Sequence, residues 1–479
     1  MKRFSPAAVA WTASLGLFMG VLDSTVVNVA LARIAADLHV TVAAAQWVIT
    51  SYFLAQAAVI PLAGYLGDRF GARRVFLAFL ALFTAASVAC GLSPSLGALL
   101  AARTLQGVGG GALFPLGMAI ALREFPLGER DGASAILGVS ALLAPVFGPT
   151  LGGALTDHFG WASVFLINLP IGIVSLGLGW RVFPRDPATS MSRGRFDVLG
   201  LVLSAAGVLL VVYGLSAADA GWSSPGAIVP LVAGCVVLAA FAVYELRLGQ
   251  DAVLDLRLFA DRGFLVALAV VCLISMTVFA SVFILPVFLI TVHTPALTGT
   301  GVGLVMAAQG IASAVGVLLS GRILYRRLGV GRLVALGGAL LVIGTWKLAV
   351  LDADVAPMSL VPWLVLRGLG FGLTFVPAIT RALEEVSGPA LARASSLLNV
   401  LRQVFSALGT AVVGTLFTSA THRLTPLVGP ASAGTQATNR VFLLVAVGAA
   451  FVIVLARGLR TVTRRAAGGA PEKVTPELS

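Results

Sequence analysis

Fourteen apolar runs, separated by short polar or charged loops, organise this chain of 479 residues. They lie at about 8–32, 43–66, 74–92, 96–122, 132–156, 160–181, 197–217, 226–247, 263–290, 298–321, 332–350, 357–380, 393–420 and 439–459. At a rise of about 1.5 Å per residue, roughly 20 apolar residues cross a hydrocarbon core of about 30 Å. The pattern predicts an all-α membrane protein with fourteen transmembrane helices. The basic start Met1-Lys-Arg has the look of a signal peptide, but the run behind it is too long and a second run follows at once. An uncleaved first helix is therefore expected.

The runs also repeat. Sliding the chain by 261 residues lays Ala133-Ser-Ala-Ile-Leu-Gly-Val139 on Ala394-Ser-Ser-Leu-Leu-Asn-Val400, and brings Gly148 onto Gly409 and Gly153 onto Gly414. Run 5 thereby pairs with run 13. Arg103, followed by Gly107, Gly109, Gly110, Gly111 and Pro115, echoes Arg367 followed by Gly368, Gly370, Gly372 and Pro377, pairing run 4 with run 12. Both offsets are eight runs. The expected organisation is a six-helix half over 1–182, two inserted helices (7 and 8) with flanking loops over 183–258, a second six-helix half in parallel orientation over 259–460, and a disordered cytoplasmic tail over 461–479.

Charge orients the helices. Of the 32 Lys and Arg, 25 fall on the side of the N-terminus, and only Arg33, Lys347, Arg423 and Arg440 lie opposite. Arg103, Arg367 and Arg402 fall inside runs. The positive-inside rule then places both termini in the cytoplasm of a multi-pass cell (inner) membrane protein, and an even number of spans requires them on one side. The composition, 58% apolar and 11% charged against about 25% charged in soluble proteins, agrees. The net charge of +12 comes from loop clusters rather than a basic domain, so no nucleic-acid partner is expected. Cys90, Cys235 and Cys272 each stand within an apolar run, as packed thiols do. No metal-ligand spacing, nucleophile–base pair or phosphate-binding loop is present, which argues against an enzyme, a cofactor or direct ATP drive.

Asp23 stands out against this background. About 22 Å into the first span, past the midplane, an isolated carboxylate costs several kcal/mol. It is either a structural hydrogen-bonding group or a carboxyl whose proton exchanges across the membrane. Arg103, toward the same leaflet, can pair with it or snorkel to the interface. Other polar candidates for a cavity are Asn28, Gln106, Asn399, Arg402 and Gln403. Between runs 2 and 3 lies Gly64-Tyr-Leu-Gly-Asp-Arg-Phe-Gly-Ala-Arg-Arg74, where glycines permit a tight turn and Asp68 can cap a helix start. In run 5, Gly138-Val-Ser-Ala-Leu-Leu-Ala-Pro-Val-Phe-Gly-Pro-Thr-Leu-Gly-Gly153 sets Ala144, Gly148 and Gly152 at four-residue intervals, a smooth face for close helix packing, while Pro145 and Pro149 remove backbone donors.

These strings carry a resemblance to the major facilitator superfamily. Gly64, Asp68, Arg69, Gly71 and Arg73 match its loop motif, a cytoplasmic gating loop whose acid joins a charge network in the family. Gly138, Pro145, Gly148, Pro149, Gly152 and Gly153 match its antiporter motif. Gln46-Trp-Val-Ile-Thr-Ser-Tyr52, Trp161-Ala-Ser-Val-Phe-Leu-Ile-Asn-Leu-Pro-Ile-Gly172, Phe196-Asp-Val-Leu-Gly200, Arg367-Gly-Leu-Gly-Phe-Gly372 and Asn399-Val-Leu-Arg-Gln403 resemble its fourteen-spanner drug:proton antiporter branch. The resemblance implies two six-helix halves rocking about a central site. It also implies proton-driven export of amphipathic or cationic small molecules, with protons as the coupling ion, Asp23 and Arg103 as the coupling or cation-attracting pair, the lipid bilayer as surroundings and a monomer as the working unit. A narrow exporter of an endogenous metabolite, natural product or lipid would show the same motifs. A membrane-embedded enzyme or a non-transporting sensor is the reading from another class.

The orientation is directly testable. A green fluorescent protein fused after Ser479 is expected to fluoresce, and alkaline phosphatase fused at Thr298, between runs 9 and 10, to be active; the reverse pair of results would invert the topology.

Overall fold

The computed structural model describes residues 4–125, 130–185, 197–217, 224–248, 256–320, 324–384, 386 and 389–468. Fourteen long helices run through them: α1 (Pro6–Asp37), α2 (Trp47–Phe70), α3 (Ala72–Gly91), α4 (Leu96–Glu124), α5 (Arg130–Phe159), α6 (Asn168–Val182), α7 (Val198–Ala217), α8 (Pro225–Leu248), α9 (Arg262–Thr291), α10 (Gly299–Leu319), α11 (Val330–Leu348), α12 (Pro357–Glu384), α13 (Pro389–Val428) and α14 (Pro430–Gly468). Thirteen segments among the described residues are long and apolar enough to cross a membrane, and α5 occupies the remaining predicted run. No strand is assigned among the described residues.

Local chemistry sets the helix starts. Ser5, Ser95 and Thr298 turn their hydroxyls back to accept from the amides of Ala8, Ala98 and Gly301, and the Asp261 carboxylate accepts from Gly263, each satisfying an amide that the helix itself leaves unpaired. Gly71 joins α2 to α3 with φ of 95°, and Gly329 makes the equivalent turn before α11 with φ of 70°. Only glycine takes such φ values without strain. One expected cap is absent: α2 continues to Phe70, so Asp68 lies inside the helix instead of starting the next one. At the other end of the chain α14 runs to Gly468, into the segment expected to be disordered from 461, because no proline or glycine interrupts it between Arg460 and Ala467.

The helix pairs show the repeat in three dimensions. In the first six, α1 packs on α4, α5 and α6, and α3 on α4 and α6, while α2 packs on α4. Each of these contacts recurs eight helices later: α9 with α12, α13 and α14, α11 with α12 and α14, and α10 with α12. The two sets meet along α5–α10, α2–α13 and α1–α9. The inserted pair α7 and α8 packs on itself, and α7 also covers α2 and α13, with Trp47 and Tyr213 ring centroids 6.2 Å apart. The extra helices thus lie along one of the seams between the halves. This is the major facilitator architecture, two parallel six-helix halves with two helices inserted.

The face bearing the start of α1 and the end of α14 is called here the terminal face, and its opposite the far face. The far face is closed by backbone contact. A methyl group on Gly153 of α5 would overlap the Gly299 carbonyl at the start of α10, and one on Gly303 would overlap the Pro149 carbonyl. Thr150 Oγ1 donates to Gly303 O at 3.2 Å. One turn on, Asp157 closes the same seam: it accepts from Gly299 N (2.9 Å), Thr300 N (2.7 Å) and the Thr300 hydroxyl (2.6 Å), capping α10 from the other half. The small face of α5 meets α1, where Gly148 lies against Thr25 and a methyl on Gly152 would stand 2.6 Å from Val26 O. The surroundings of Gly138 and Pro145 lie outside the described residues.

Partial burial raises the affinity of the Asp157 carboxyl for protons, but the Thr300 and Gly299 donors and nearby His158 outweigh it and hold the group below its ordinary range. A value depressed by folding means that this cap contributes above the ordinary carboxylate value near 4 and is lost only as pH falls through the lower folded value. Asp157→Ala is therefore expected to lower the unfolding temperature throughout the range above about pH 5, by an amount that shrinks as pH falls below about 4. Thermal unfolding across a pH series checks it, and a difference that grew as pH fell below about 4 would contradict it.

Candidate functional site

A cavity of about 710 Å³ runs between the halves from the middle of the bundle to the terminal face. It is lined by α1 from Leu17 to Ser24, by α2 from Phe53 to Asp68, by α4 from Gly110 to Arg123, and by Phe279 and the stretch of α13 from Ser395 to Gln403. Its size suits a drug-sized molecule. The wall is mainly apolar, with Phe53 and Phe279 set edge to face at 4.9 Å. Polar groups enter chiefly from α13, where Asn399, Arg402 and Gln403 share a face by their three- and four-residue spacing. Gln403 donates to Gln56 Oε1 of α2, a bond that ties the halves together deep in the cavity.

Behind the cavity wall lies a buried ion pair. Arg103 Nη1 donates to Asp23 Oδ2 at 2.5 Å, with the two side chains 1% and 0% exposed. Arg103 Nη1 also reaches Gln106 Oε1 (2.6 Å), and Nε donates to Val48 O (2.9 Å). The other carboxylate oxygen, Oδ1, accepts from Gln106 Nε2 and Asn168 Nδ2, both at 2.9 Å. Those two amides also donate to the Ser87 hydroxyl, at 2.5 and 3.2 Å. Residues of α1, α2, α3, α4 and α6 thus converge on one carboxylate. Membrane-buried charge is tolerated when it is paired and hydrogen-bonded in this way.

The pair is screened from the cavity by Tyr52. Its ring lies under the Arg103 guanidinium at 4.2 Å, and its hydroxyl donates to Gly20 O (3.1 Å) and packs against Gly110, both glycines lining the cavity. The Phe165 ring centroid lies 5.4 Å from the same guanidinium. Among the described residues the second half has no equivalent. Arg367, the echo of Arg103, is 2% exposed with Nε and Nη1 unpartnered, and α9 carries no acid.

Sequence candidates therefore separate into several places. Asn399, Arg402 and Gln403 line the cavity, but Asn28 and Gln106 do not. Asn28 turns its amide to its own helix, donating to Ser24 O at 2.8 Å, and Gln106 is held by Asp23 and Ser87. In the gating loop, Gly64 and Asp68 line the cavity mouth, where Asp68 pairs with Arg123 of the same half at 3.7 Å. Arg69 donates to the Tyr65 hydroxyl (3.2 Å), and Arg73 to Trp180 O (2.5 Å) while stacking on the Trp180 ring. Ser87, Tyr52, Gln56 and Asn168 were not singled out from the sequence. Asn168 and Ser87 are polar residues in apolar runs, and that is the signal that could have found them.

A double-mutant cycle tests the pair. Asp23→Asn or Arg103→Gln alone leaves an opposite charge buried, a loss of about 3–5 kcal/mol. The double variant is expected to unfold at a higher temperature than Arg103→Gln alone, measured on the detergent-solubilised protein; additive losses would show that the two charges do not compensate one another.

Comparison with known proteins agrees with this fold. The family model described as Major Facilitator Superfamily matches residues 13–410. The chain is 34% identical over 410 residues to the multidrug resistance protein B homolog of Mycobacterium tuberculosis strain ATCC 25618 / H37Rv, covering 84% of this chain and 75% of that protein. It is 32% identical over 430 residues to the multidrug export protein EmrB of Escherichia coli K12, covering 88% and 83%. The fold matches the crystal structure of a bacterial homolog of the human lysosomal transporter Spinster in an inward-facing, unoccupied conformation, with a TM-score of 0.68, 15% identity, and coverage of 96% and 99%. The fold, the repeat and these matches lead to one conclusion: the chain belongs to the major facilitator superfamily.

Proposed function

We propose that this protein is a proton-coupled multidrug exporter of the cell membrane, working by alternating access with both termini in the cytoplasm. The observation that carries this reading is the buried Asp23–Arg103 pair set directly behind a cavity that reaches the terminal face. The relatives named for multidrug resistance and export support the substrate class, and the excess of loop cations on the terminal face supports the orientation.

In the proposed cycle the halves rock about the cavity. Opening at the far face requires α5 to leave α10, which breaks the Asp157 cap and the Gly153–Gly299 contact. A proton reaching Asp23 from that side removes the charge that holds Arg103, Gln106 and Asn168 in place. With the carboxylate neutral, the α1–α4 contact is free to relax. On return to the arrangement described here, substrate entering from the cytoplasm favours the re-formed ion pair, and its binding releases the proton to the cytoplasm. Asp23 is the acid buried against Arg103 at the centre of the first half, so one proton per cycle is the stoichiometry this arrangement supports. Tyr52 couples the two places by touching Arg103 on one side and the cavity-lining Gly20 on the other.

The test is uptake of fluorescent amphiphiles, cationic, neutral and anionic, into everted vesicles under an imposed inward-acid gradient. Uphill movement that collapses with a protonophore, and that Asp23→Asn reduces by at least about a hundredfold, is the expected result. Uphill transport at the wild-type rate by the variant would overturn the role of Asp23, and no movement of any amphiphile by inserted wild-type protein would overturn the multidrug reading.

A further inference from the structure

Among the described residues the cavity wall contains three charged ones, Asp68, Arg123 and Arg402. Asp68 and Arg123 pair with each other at the exposed mouth, 3.7 Å apart and 62% and 48% exposed. Asp23, the acid expected to attract cations, is enclosed behind Tyr52 and neutralised by Arg103. What remains facing the cavity is the guanidinium of Arg402, partly buried on α13, with no carboxylate and no hydrogen-bond acceptor on it among the described residues. Among the described residues the cavity therefore carries one uncompensated positive charge inside an apolar chamber. A guanidinium so placed is stabilised by an oxyanion, and a carboxylate meets it in bidentate geometry.

Arg367 supplies the contrast. It also lacks partners on Nε and Nη1, but it is sealed between helices and does not line the cavity, so a ligand has no route to it. Arg402 has both the missing partner and the access. Around it the wall offers amide groups from Asn399 and Gln403 for a polar head, and the crossed rings of Phe53 and Phe279, with Phe114 and Met118, for an apolar body.

We infer that Arg402 anchors the transported molecule through an anionic head group, so that the substrates favoured by this cavity are amphiphilic carboxylates rather than cations. The inference rests on the efflux reading above and narrows it. Arg402 would select among amphiphiles by charge, while the aromatic wall accepts apolar bodies of varied shape. A bound carboxylate neutralises the cavity before the halves close over it, lowering the cost of enclosing the guanidinium in the membrane.

Three fluorescent probes with one body test this: 11-(dansylamino)undecanoate, its neutral primary amide, and the analogue ending in trimethylammonium. On wild-type protein in nanodiscs the carboxylate is expected to bind at least about tenfold more tightly than the amide, and the cation more weakly than either. Arg402→Met, which keeps the stem and removes the charge, should weaken carboxylate binding at least about tenfold and the amide far less, removing the preference between them. Arg402→Lys should keep part of the preference. Equal binding of carboxylate and amide by the wild type would overturn the inference even if Arg402→Met fails to fold, as would an unchanged preference in that variant. Uphill transport of the cation alone in everted vesicles would overturn it while leaving the efflux reading intact. Uphill transport of none of the three would count against the efflux reading itself.

Discussion

A carboxylate and a guanidinium placed within a membrane-spanning bundle impose more on this fold than any other contact. Neither charge is tolerable alone in a low-dielectric interior, and each must find the other and satisfy its remaining hydrogen-bonding capacity. Asp23 and Arg103 do so by recruiting Val48, Gln106 and Asn168, with Ser87 bracing the two amides. This fixes the rotation of α1 about its axis and sets α2, α3, α4 and α6 around it. The glycines of α4 let the partners close in: a methyl on Gly107 would stand 2.5 Å from Tyr52 O, and one on Gly111 2.8 Å from Gln56 O. Close packing and charge satisfaction are one constraint in the first half.

The second half repeats the helix contacts without the charge. Arg367 occupies the echoed place with Nε and Nη1 unpartnered among the described residues, and α9 carries no acid where α1 carries Asp23. Symmetric packing with asymmetric chemistry separates two tasks within one scaffold. In the proposed cycle the first half handles the proton and α13 of the second half offers the substrate its polar contacts, Asn399, Arg402 and Gln403. The Gln56–Gln403 bond and the α5–α10 seam are two of the places where the halves hold one another, one in the cavity and one at the far face.

Much of the architecture was legible in the sequence, for a physical reason. Spans must be apolar over about 20 residues, so fourteen of them show as runs, and the repeated glycine patterns around Arg103 and Arg367 mark helices that pack closely in the same way. The presence of Asp23 and Arg103 was legible too, because charge in a membrane span is costly. What the sequence did not convey was direction. α1 is apolar on all sides, so periodicity cannot tell which face meets protein and which meets the cavity, and Asp23 proved to point away from the cavity while its neighbour Ser24 lines it. Neutral partners were hidden for the same reason: Asn168 and Ser87 cost little enough that they carry weak signals, although they complete the network. The position of the inserted α7 and α8 along the α2–α13 seam was equally out of reach, since it depends on lateral contacts that leave no periodic mark.

The central claim is that the proton exchanged during transport is carried by Asp23. The most direct measurement is the number of protons released when purified protein binds a transported amphiphile, from calorimetry in buffers of differing ionisation enthalpy, for wild type and Asp23→Asn. If Asp23 carries the proton, the wild type releases up to about one proton per molecule bound, in the pH range where the unoccupied protein holds it, and Asp23→Asn releases none. Equal release by the two proteins would contradict the account, leaving Asp23 and Arg103 as a structural pair and placing the coupling elsewhere.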